Sequence, residues 1–394
     1  MGVVVTCVGF GSMLTLSVFL QPIAAEMGWS RTAIASVGML NFLCMGAGAF
    51  MWGTLSDRYG TRFVLLSGGV LLGLGLVTAS RAGSLLQFQI LFGALVGVAA
   101  GSMYAPMIAT ITRWFTQHRT LAVALASAGL SLGSTVMAPV ARWLISTYDW
   151  RTAMLVIGDL VWLVVLPAAM LVRKAPATPL VSASAPVAPV RNFTMAQVIR
   201  TPQFAAIALA HFACCAAHSG PIFHMVTHAM DTGVPAMAAA TVLSVAGLAS
   251  LTGRIACGIF ADRFGAKQTV VGCLALQSFA ISLYLFASSL GGLYLVALVF
   301  GFSYGGVMPV YAVVVREYFG EKVIGSAFGA VSLVATLGMA LGPVAGGWAY
   351  DNLGSYFWMF AGAATIGAAA VAVAMTFRPP RAVSVMAPTP SVAG

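Results

Sequence analysis

The chain has 394 residues, of which 60% are hydrophobic and only 7% are charged, and its formal net charge is +10. Soluble globular domains carry about 25% charged residues, so the composition excludes an ordinary soluble protein. The chain therefore belongs in a membrane, and its partners include the lipid bilayer.

Twelve apolar runs follow one another along the chain. A helix that crosses the hydrocarbon core needs about 20 apolar residues, whereas a barrel strand needs about 10 in an alternating pattern. The runs have the helical length, which predicts an all-α membrane protein of twelve transmembrane helices. They cover approximately residues 3–25, 34–55, 62–81, 85–112, 119–146, 152–172, 203–229, 236–260, 268–289, 291–316, 323–350 and 355–377.

The positive charge is unevenly distributed across these spans. If the chain starts inside, most of its 19 cations fall on the inner side, while Arg31, Arg81, Arg142 and Arg151 lie on or near the outer side. This positive-inside bias predicts a multi-pass protein with both termini in the cytoplasm. It also explains the net charge without nucleic acid, which we exclude as a partner.

One long connection divides the spans into two sets of six. It is rich in Pro, Ala and Ser and carries four cations, as expected of a linker at a membrane surface. The predicted organisation is an N-terminal six-helix bundle over 1–172, a cytoplasmic linker over 173–200, a C-terminal six-helix bundle over 201–378 and a disordered cytoplasmic tail over 379–394.

The two halves repeat each other. The loop GTLSDRYGTR (Gly53 to Arg62) returns as GIFADRFGAK (Gly258 to Lys267), each time between two apolar runs. Spans four and ten each contain a proline at the matching place, Pro106 and Pro309. Such a repeat predicts two bundles related by a pseudo-twofold axis, with a site between them.

The repeated loop resembles the signature loop of the major facilitator superfamily, and the resemblance covers almost the whole chain. It implies alternating access, with the loop latching the cytoplasmic side. The glycines that open the two loops, Gly53 and Gly258, are expected to allow close helix approach. The gating residues implied by the resemblance are Asp57, Arg58, Arg62, Asp262 and Arg263.

Four further segments narrow the resemblance. MGWSRT (Met27 to Thr32), YAPMIATITRWF (Tyr104 to Phe115), HMVTHAMDTG (His224 to Gly233) and LSVAGLASLTGRIACGIFADRFG (Leu243 to Gly265) are similar to bacterial monocarboxylate porters and oxalate–formate antiporters. This implies a secondary transporter of small monocarboxylates, like lactate or pyruvate, in a bacterial inner membrane.

Arg254 is the candidate substrate-binding residue. A charged arginine within a span usually faces a cavity or a partner, and its planar guanidinium matches a carboxylate in bidentate geometry. The resemblance likewise implies a substrate-binding arginine here, and the alternative is snorkelling to the membrane surface. Span eleven has no Lys or Arg between Val323 and Tyr350, whereas dicarboxylate exchangers of this branch have a second cation there; one cation favours a monocarboxylate.

Other pocket candidates come from the resemblance and from helix phase. Tyr104, Tyr304 and Ser250 offer hydroxyl groups, and Met308, Leu130 and Met13 offer an apolar wall, with ordinary core packing as the alternative. Of the histidines in span seven, His224 is the pocket candidate, because histidine titrates near neutral pH and could bind the carboxylate or a proton.

Proton coupling remains open at this stage. Leu14 and Ser250 stand where eukaryotic monocarboxylate carriers place a lysine and an aspartate. The alternatives in function are an organic anion antiporter of the oxalate–formate type, a drug or metabolite efflux carrier, and a receptor that senses a carboxylate. No nucleophile–base pair, metal motif or cofactor motif is present, so we expect neither an enzyme nor a metal site, and we expect a monomer.

Overall fold

The structure is a computed structural model that describes residues 1–114, 119–173, 193–320 and 323–379, and these are helical throughout, without a strand. The helices are α1 (Gly2–Leu14), α2 (Leu16–Met27), α3 (Arg31–Tyr59), α4 (Thr61–Ala79), α5 (Leu85–Phe88), α6 (Gly97–Ala100), α7 (Ala105–Trp114), α8 (Arg119–Thr147), α9 (Trp150–Met170), α10 (Met195–Ile199), α11 (Pro202–Asp231), α12 (Ala236–Phe264), α13 (Ala266–Leu283), α14 (Leu290–Phe319), α15 (Ile324–Leu353) and α16 (Phe357–Met375).

The helices coincide with the predicted spans. Within the described residues, nine helical segments are long and apolar enough to cross a membrane. The other three predicted spans, near 85–112, 119–146 and 268–289, are also helical. The all-helical membrane fold is confirmed, while the number of twelve crossings stays a prediction.

The fourth predicted span is broken rather than continuous. A π-helical segment (Gln89–Val96) joins α5 to α6, and a turn over 101–104 precedes α7. Pro106 lies at the second position of α7, where its missing N–H costs no helical hydrogen bond. Tyr104, a predicted pocket residue, therefore lies at the end of an irregular turn, and not inside a regular helix.

The packing of helices is the same in both halves. Helix α1 packs on α8 as α11 packs on α15, and α4 packs on α9 as α13 packs on α16. Helix α3 packs on the π-helical segment and α6 as α12 packs on α14. Across the halves, α3 packs on α15 and α8 packs on α12. This arrangement has the predicted pseudo-twofold pattern, although the domain boundaries themselves stay a prediction.

The predicted linker and tail fall mostly on residues outside the described part. Inside the linker range the structure adds the short helix α10, which the sequence analysis does not anticipate. The hydroxyl of Thr194 accepts from the backbone N–H of Gln197, whose side chain in turn accepts from the N–H of Thr194. This capping box satisfies two backbone donors that a helix start leaves unpaired.

Both copies of the repeated loop turn at a glycine. Gly60 has φ 86° and ψ 154°, and Gly265 has φ 90° and ψ 149°, a region that residues with a side chain rarely enter. The glycines that open the loops behave otherwise. A Cβ added at Gly53 or Gly258 would meet nothing within 4 Å, so the close helix approach expected of these two glycines is absent from this structure.

Replacing Gly60 by alanine tests the role of the turn. We expect Gly60→Ala to lower the free energy of unfolding by about 1–3 kcal/mol, the usual cost of such a backbone conformation in a residue with a side chain. Thermal unfolding in detergent measures the change. Gly53→Ala is the matched control, since it lies in the same motif, has equally open space around it and lies within α3. Equal stability of the two variants would contradict this account of Gly60.

Candidate functional site

Arg254 lies in the second half of α12, ten residues before its end, and reaches across to the other half. Its side chain is half-buried, and its Nε donates to the Oγ of Ser131 on α8 at 3.4 Å. The Ser131 hydroxyl is also 2.6 Å from the hydroxyl of Ser250, one turn before Arg254. Ser131 thus joins two predicted site residues of the second half to the first half.

Tyr104 approaches the same helix from the first half. Its hydroxyl is 3.1 Å from the Oγ of Ser127, which lies one turn before Ser131 on α8. Residues four apart share one face of a helix, so Tyr104 and Arg254 contact neighbouring hydroxyls on one face of α8. The structure therefore brings together Tyr104, Ser250 and Arg254, with Leu130 half-buried on the same helix.

Ser127 and Ser131 are residues that the sequence analysis missed. They follow the run of small residues in α8, where a serine is as easily a packing residue as a ligand. No charge or motif marks them. Only their spacing of four residues, opposite a span that carries an arginine, could have indicated that they share a face toward the second half.

The remaining pocket candidates have other neighbours in the structure. Tyr304 packs its ring against His218 and Phe300, both with centroids 5.4 Å away, and Met308 is half-buried one turn later. Met13 is buried and lines a narrow cavity between the halves, together with residues that include Asn41, Ser219 and Phe223. Within the described part of the chain, Arg254 forms a hydrogen bond with none of them.

His224 has different partners from those expected. It is fully buried. Its Nδ1 is 3.1 Å from the hydroxyl of Tyr356, and its Nε2 is 2.7 Å from the carbonyl oxygen of Pro343. With both ring nitrogens occupied by protein groups, His224 has no free nitrogen to offer a ligand in this conformation.

The predicted gating residues lie at the opposite end of the bundle from Tyr356. Arg58, Arg62, Asp262 and Arg263 are exposed, and the guanidinium of Arg58 lies 5.3 Å from the ring centre of Tyr59. The side chain of Asp57 lies outside the described part of the chain. Within the described part of the chain, none of these four side chains forms a hydrogen bond or ion pair with the other half.

A cluster of charged residues joins the halves at the other end. Arg31, at the start of α3, donates through both Nη atoms to Asp231 of α11, at 2.6 and 2.9 Å, and through Nη1 to the hydroxyl of Tyr356, at 2.9 Å. Its guanidinium also lies 3.5 Å from the ring centre of Tyr350. We call Arg31, Asp231, Tyr350, Asp351 and Tyr356 the Arg31 cluster.

Asp351 completes the cluster by capping a helix of the other half. Its carboxylate accepts from the backbone N–H groups of Arg31 and Thr32, at 3.1 and 2.7 Å, and from the hydroxyl of Thr32 at 2.5 Å. An anion is favoured there because the first N–H groups of α3 have no partner inside the helix. In the sequence, Arg31 and Asp231 belong to two separate motifs, and neither motif predicts that the two residues pair.

The contacts between α8 and α12 in the middle of the bundle continue toward the Arg31 cluster. Ser244 donates to the carbonyl oxygen of Thr135 at 2.7 Å, and the Thr135 hydroxyl lies 3.3 Å from the carbonyl oxygen of Ser244. The described cross-half bonds therefore run from the bundle middle to the Arg31 end. The molecule has the architecture of a carrier: two repeated halves, a charged residue between them at mid-depth, and one sealed end.

Comparison with known proteins agrees with this class. The Major Facilitator Superfamily profile matches residues 1–263 and 231–392, and the chain belongs to that superfamily. It is therefore a multi-pass membrane transporter and not an enzyme.

Individual relatives align over most of their length. Monocarboxylate transporter 13 of Bos taurus is 29% identical over 349 residues, covering 88% of this chain and 80% of its own. Monocarboxylate transporter 11 of Mus musculus is 30% identical over 359 residues, covering 88% and 79%. The uncharacterized MFS-type transporter YhjX of Escherichia coli (strain K12) is 25% identical over 339 residues, covering 84% and 83%.

Two solved structures share the fold. An inward-facing, occupied bacterial homologue of the human lysosomal transporter Spinster has a TM-score of 0.73 at 16% identity, covering 95% of this chain and 94% of its own. The nucleoside transporter NupG has a TM-score of 0.74 at 12% identity, covering 95% and 99%. At these identities the likeness shows the fold alone.

A double-mutant cycle tests the contact between Ser131 and Ser250. We expect Ser131→Ala and Ser250→Ala each to lower the free energy of unfolding by about 0.5–1.5 kcal/mol, the usual contribution of one hydrogen bond. The double variant should lose less than the sum, because residues in one hydrogen-bond network are coupled. Thermal unfolding in detergent gives the three differences.

Ser134→Ala is the control for this cycle. The Ser134 hydroxyl donates to the carbonyl oxygen of Ser131 in its own helix, so its loss should be additive with Ser250→Ala. Additive effects of Ser131→Ala and Ser250→Ala would show that the cross-half bond contributes nothing to stability.

Proposed function

We propose that the protein transports small monocarboxylates, like lactate or pyruvate, by alternating access, and that Arg254 binds the substrate carboxylate. The observation that carries this proposal is the lack of a protein anion for Arg254. Within the described part of the chain its one hydrogen bond goes from Nε to the neutral Ser131, and no carboxylate pairs with it.

The Nε bond determines which edge of the guanidinium is available. Because Ser131 occupies Nε, the edge formed by the two Nη atoms remains for a ligand. Two parallel N–H groups on that edge match the two oxygens of a carboxylate. Such a cation at mid-depth in a membrane bundle favours an anionic substrate over a cationic one.

Two further observations favour a monocarboxylate. Span eleven contributes no second cation between Val323 and Tyr350, so one positive charge meets one carboxylate. The relatives that cover most of this chain are named monocarboxylate transporters. The hydroxyls of Tyr104, Ser250 and Ser131 lie close to Arg254 and supply additional hydrogen-bond partners.

The remaining assignments follow from the same picture. The positive-inside bias of the loops supports placing both termini in the cytoplasm of a bacterium, with the protein in the inner membrane. The repeated loop with Asp57, Arg58, Arg62, Asp262 and Arg263 then lies on the cytoplasmic side, where we assign it the role of a latch between states. The Arg31 cluster lies on the outer side and seals it.

Uptake of labelled lactate into proteoliposomes tests the role of Arg254. We expect Arg254→Ala to raise KM by roughly ten- to a hundredfold, since a hydrogen bond to a charged group contributes about 1.5–3 kcal/mol and about 1.4 kcal/mol is a factor of ten. The KM of Arg254→Lys should lie between those of the wild type and Arg254→Ala, because lysine keeps the charge but lacks the edge with two parallel donors. Arg81→Ala, at an exposed turn, is the charge-matched control.

The same assay separates the rival functions. Competition by oxalate that is stronger than competition by lactate would favour an exchanger of the oxalate–formate type. Transport of cationic dyes without transport of any organic acid would favour an efflux carrier. Equal lactate uptake by wild type and Arg254→Ala would overturn the assignment of Arg254.

A further inference from the structure

The hydrogen bonds of His224 determine which of its nitrogens carries a proton. Nε2 lies 2.7 Å from the carbonyl oxygen of Pro343, and a carbonyl oxygen can only accept. Nε2 must therefore carry hydrogen. A neutral imidazole has one N–H, so Nδ1 is the acceptor for the hydroxyl of Tyr356, 3.1 Å away.

The hydroxyl of Tyr356 links His224 to the Arg31 cluster, and its two hydrogen bonds also have a fixed direction. Its oxygen accepts from Nη1 of Arg31 at 2.9 Å while its hydrogen points to His224. A phenol hydroxyl has one hydrogen to donate and can also accept, so Tyr356 can take both roles at once. The result is a directed chain, in which Arg31 donates to Tyr356, Tyr356 donates to His224, and His224 donates to Pro343 within α15.

A second proton on His224 would reverse one bond of this chain. Both ring nitrogens of an imidazolium are donors, so the Tyr356 oxygen would lie between two cations, Arg31 and His224. The groups around the ring cannot easily compensate for the new charge. Asp231 already accepts from both Nη atoms of Arg31, and Asp351 already accepts from the first N–H groups of α3.

Among the residues that the structure describes, no other group near the ring offers a negative charge. On α11, His228 lies one turn beyond His224, with its ring centre 6.2 Å from that of Tyr356. On α15, Tyr350 stacks beneath the guanidinium of Arg31. The arrangement therefore favours neutral His224 over charged His224. The bonds that a charge on His224 would weaken are those that join the two halves at this end.

We propose that His224 is a proton-binding site that controls the outer end of the carrier: neutral His224 keeps the Arg31 cluster closed, and protonated His224 opens it. Protons can arrive from the outer side, because Arg31 and Asp231 have side chains that are 13% and 22% exposed and Tyr356 connects them to the ring. The inference rests on alternating access and deepens the proposed function by adding proton control of its outer end.

The test is a distance measurement across the outer end as a function of pH, without any substrate. Spin labels are placed at Tyr148→Cys in the first half and Phe286→Cys in the second, which are 62% and 81% exposed. The half-buried cysteines Cys7 and Cys44 are replaced by serine. The pH runs from about 8 to about 5, a range that brackets the ordinary imidazole pKa of about 6.5.

In the wild type, the ratio of long to short distances should rise at least tenfold as the pH falls, equivalent to about 1.4 kcal/mol of differential proton binding. His224→Asn puts an amide oxygen near the place of Nδ1 and does not titrate, so it should stay closed at every pH. Tyr356→Phe removes the link but keeps the Arg31–Asp231 pair, so it should also lose the pH response. His228→Asn is the matched control and should keep it.

Two results would overturn the proposal: a wild-type ratio that does not change with pH, or a full pH response in both His224→Asn and Tyr356→Phe. If one variant does not fold, the other still decides between these outcomes. Because no organic acid is present, a failure of lactate uptake would count against the substrate assignment and leave this measurement unaffected.

Discussion

A charged side chain in or beside a hydrocarbon layer needs a partner, and the whole arrangement of this protein depends on how that need is met. Arg31 meets it completely, with a bidentate carboxylate, a phenol and an aromatic ring, all from the opposite half. Arg254 meets it only in part, through one serine hydroxyl. A satisfied cation stabilises one conformation of the bundle, whereas an unsatisfied cation is a binding site for an anion. The two arginines therefore differ in how far the protein satisfies them, and this difference supports the anion-binding role proposed for Arg254.

The contacts between the halves form a gradient along the bundle. At the Arg31 end they are ionic and numerous, and in the middle they are hydroxyl–hydroxyl and hydroxyl–carbonyl bonds between α8 and α12. At the end with the repeated loops, the described side chains of Arg58, Arg62, Asp262 and Arg263 form none. Hydrogen bonds between neutral groups contribute less than those to charged groups. A movement that opens the Arg31 end must therefore break its strongest contacts, while the middle contacts can serve as the region about which the halves turn.

His224 connects these two parts of the molecule. It lies on α11, bonds to the Arg31 cluster through Tyr356, and bonds to the carbonyl oxygen of Pro343, inside α15. Helix α15 packs on α3 of the other half, so a change at the histidine acts on a helix that itself forms the interface. The repeat does not extend to this chain of hydrogen bonds. The first half contains no histidine apart from His118, which lies outside the described residues.

Local chemistry along the chain was sufficient to predict the fold and to single out one candidate site residue. Helix length and apolar composition, the repeated loop with its paired glycines, and a lone arginine in an apolar span are all properties of consecutive residues, so the sequence by itself determined the membrane class, the repeat and Arg254 as the candidate cation. The break at Tyr104, the serines of α8, and the partners of Arg31 and His224 join residues far apart in the chain, such as Arg31 and Tyr356. Only the tertiary structure decided these, because hydrogen-bond partners and the direction of each bond depend on which helix faces meet, and the period of an apolar helix does not specify its neighbour.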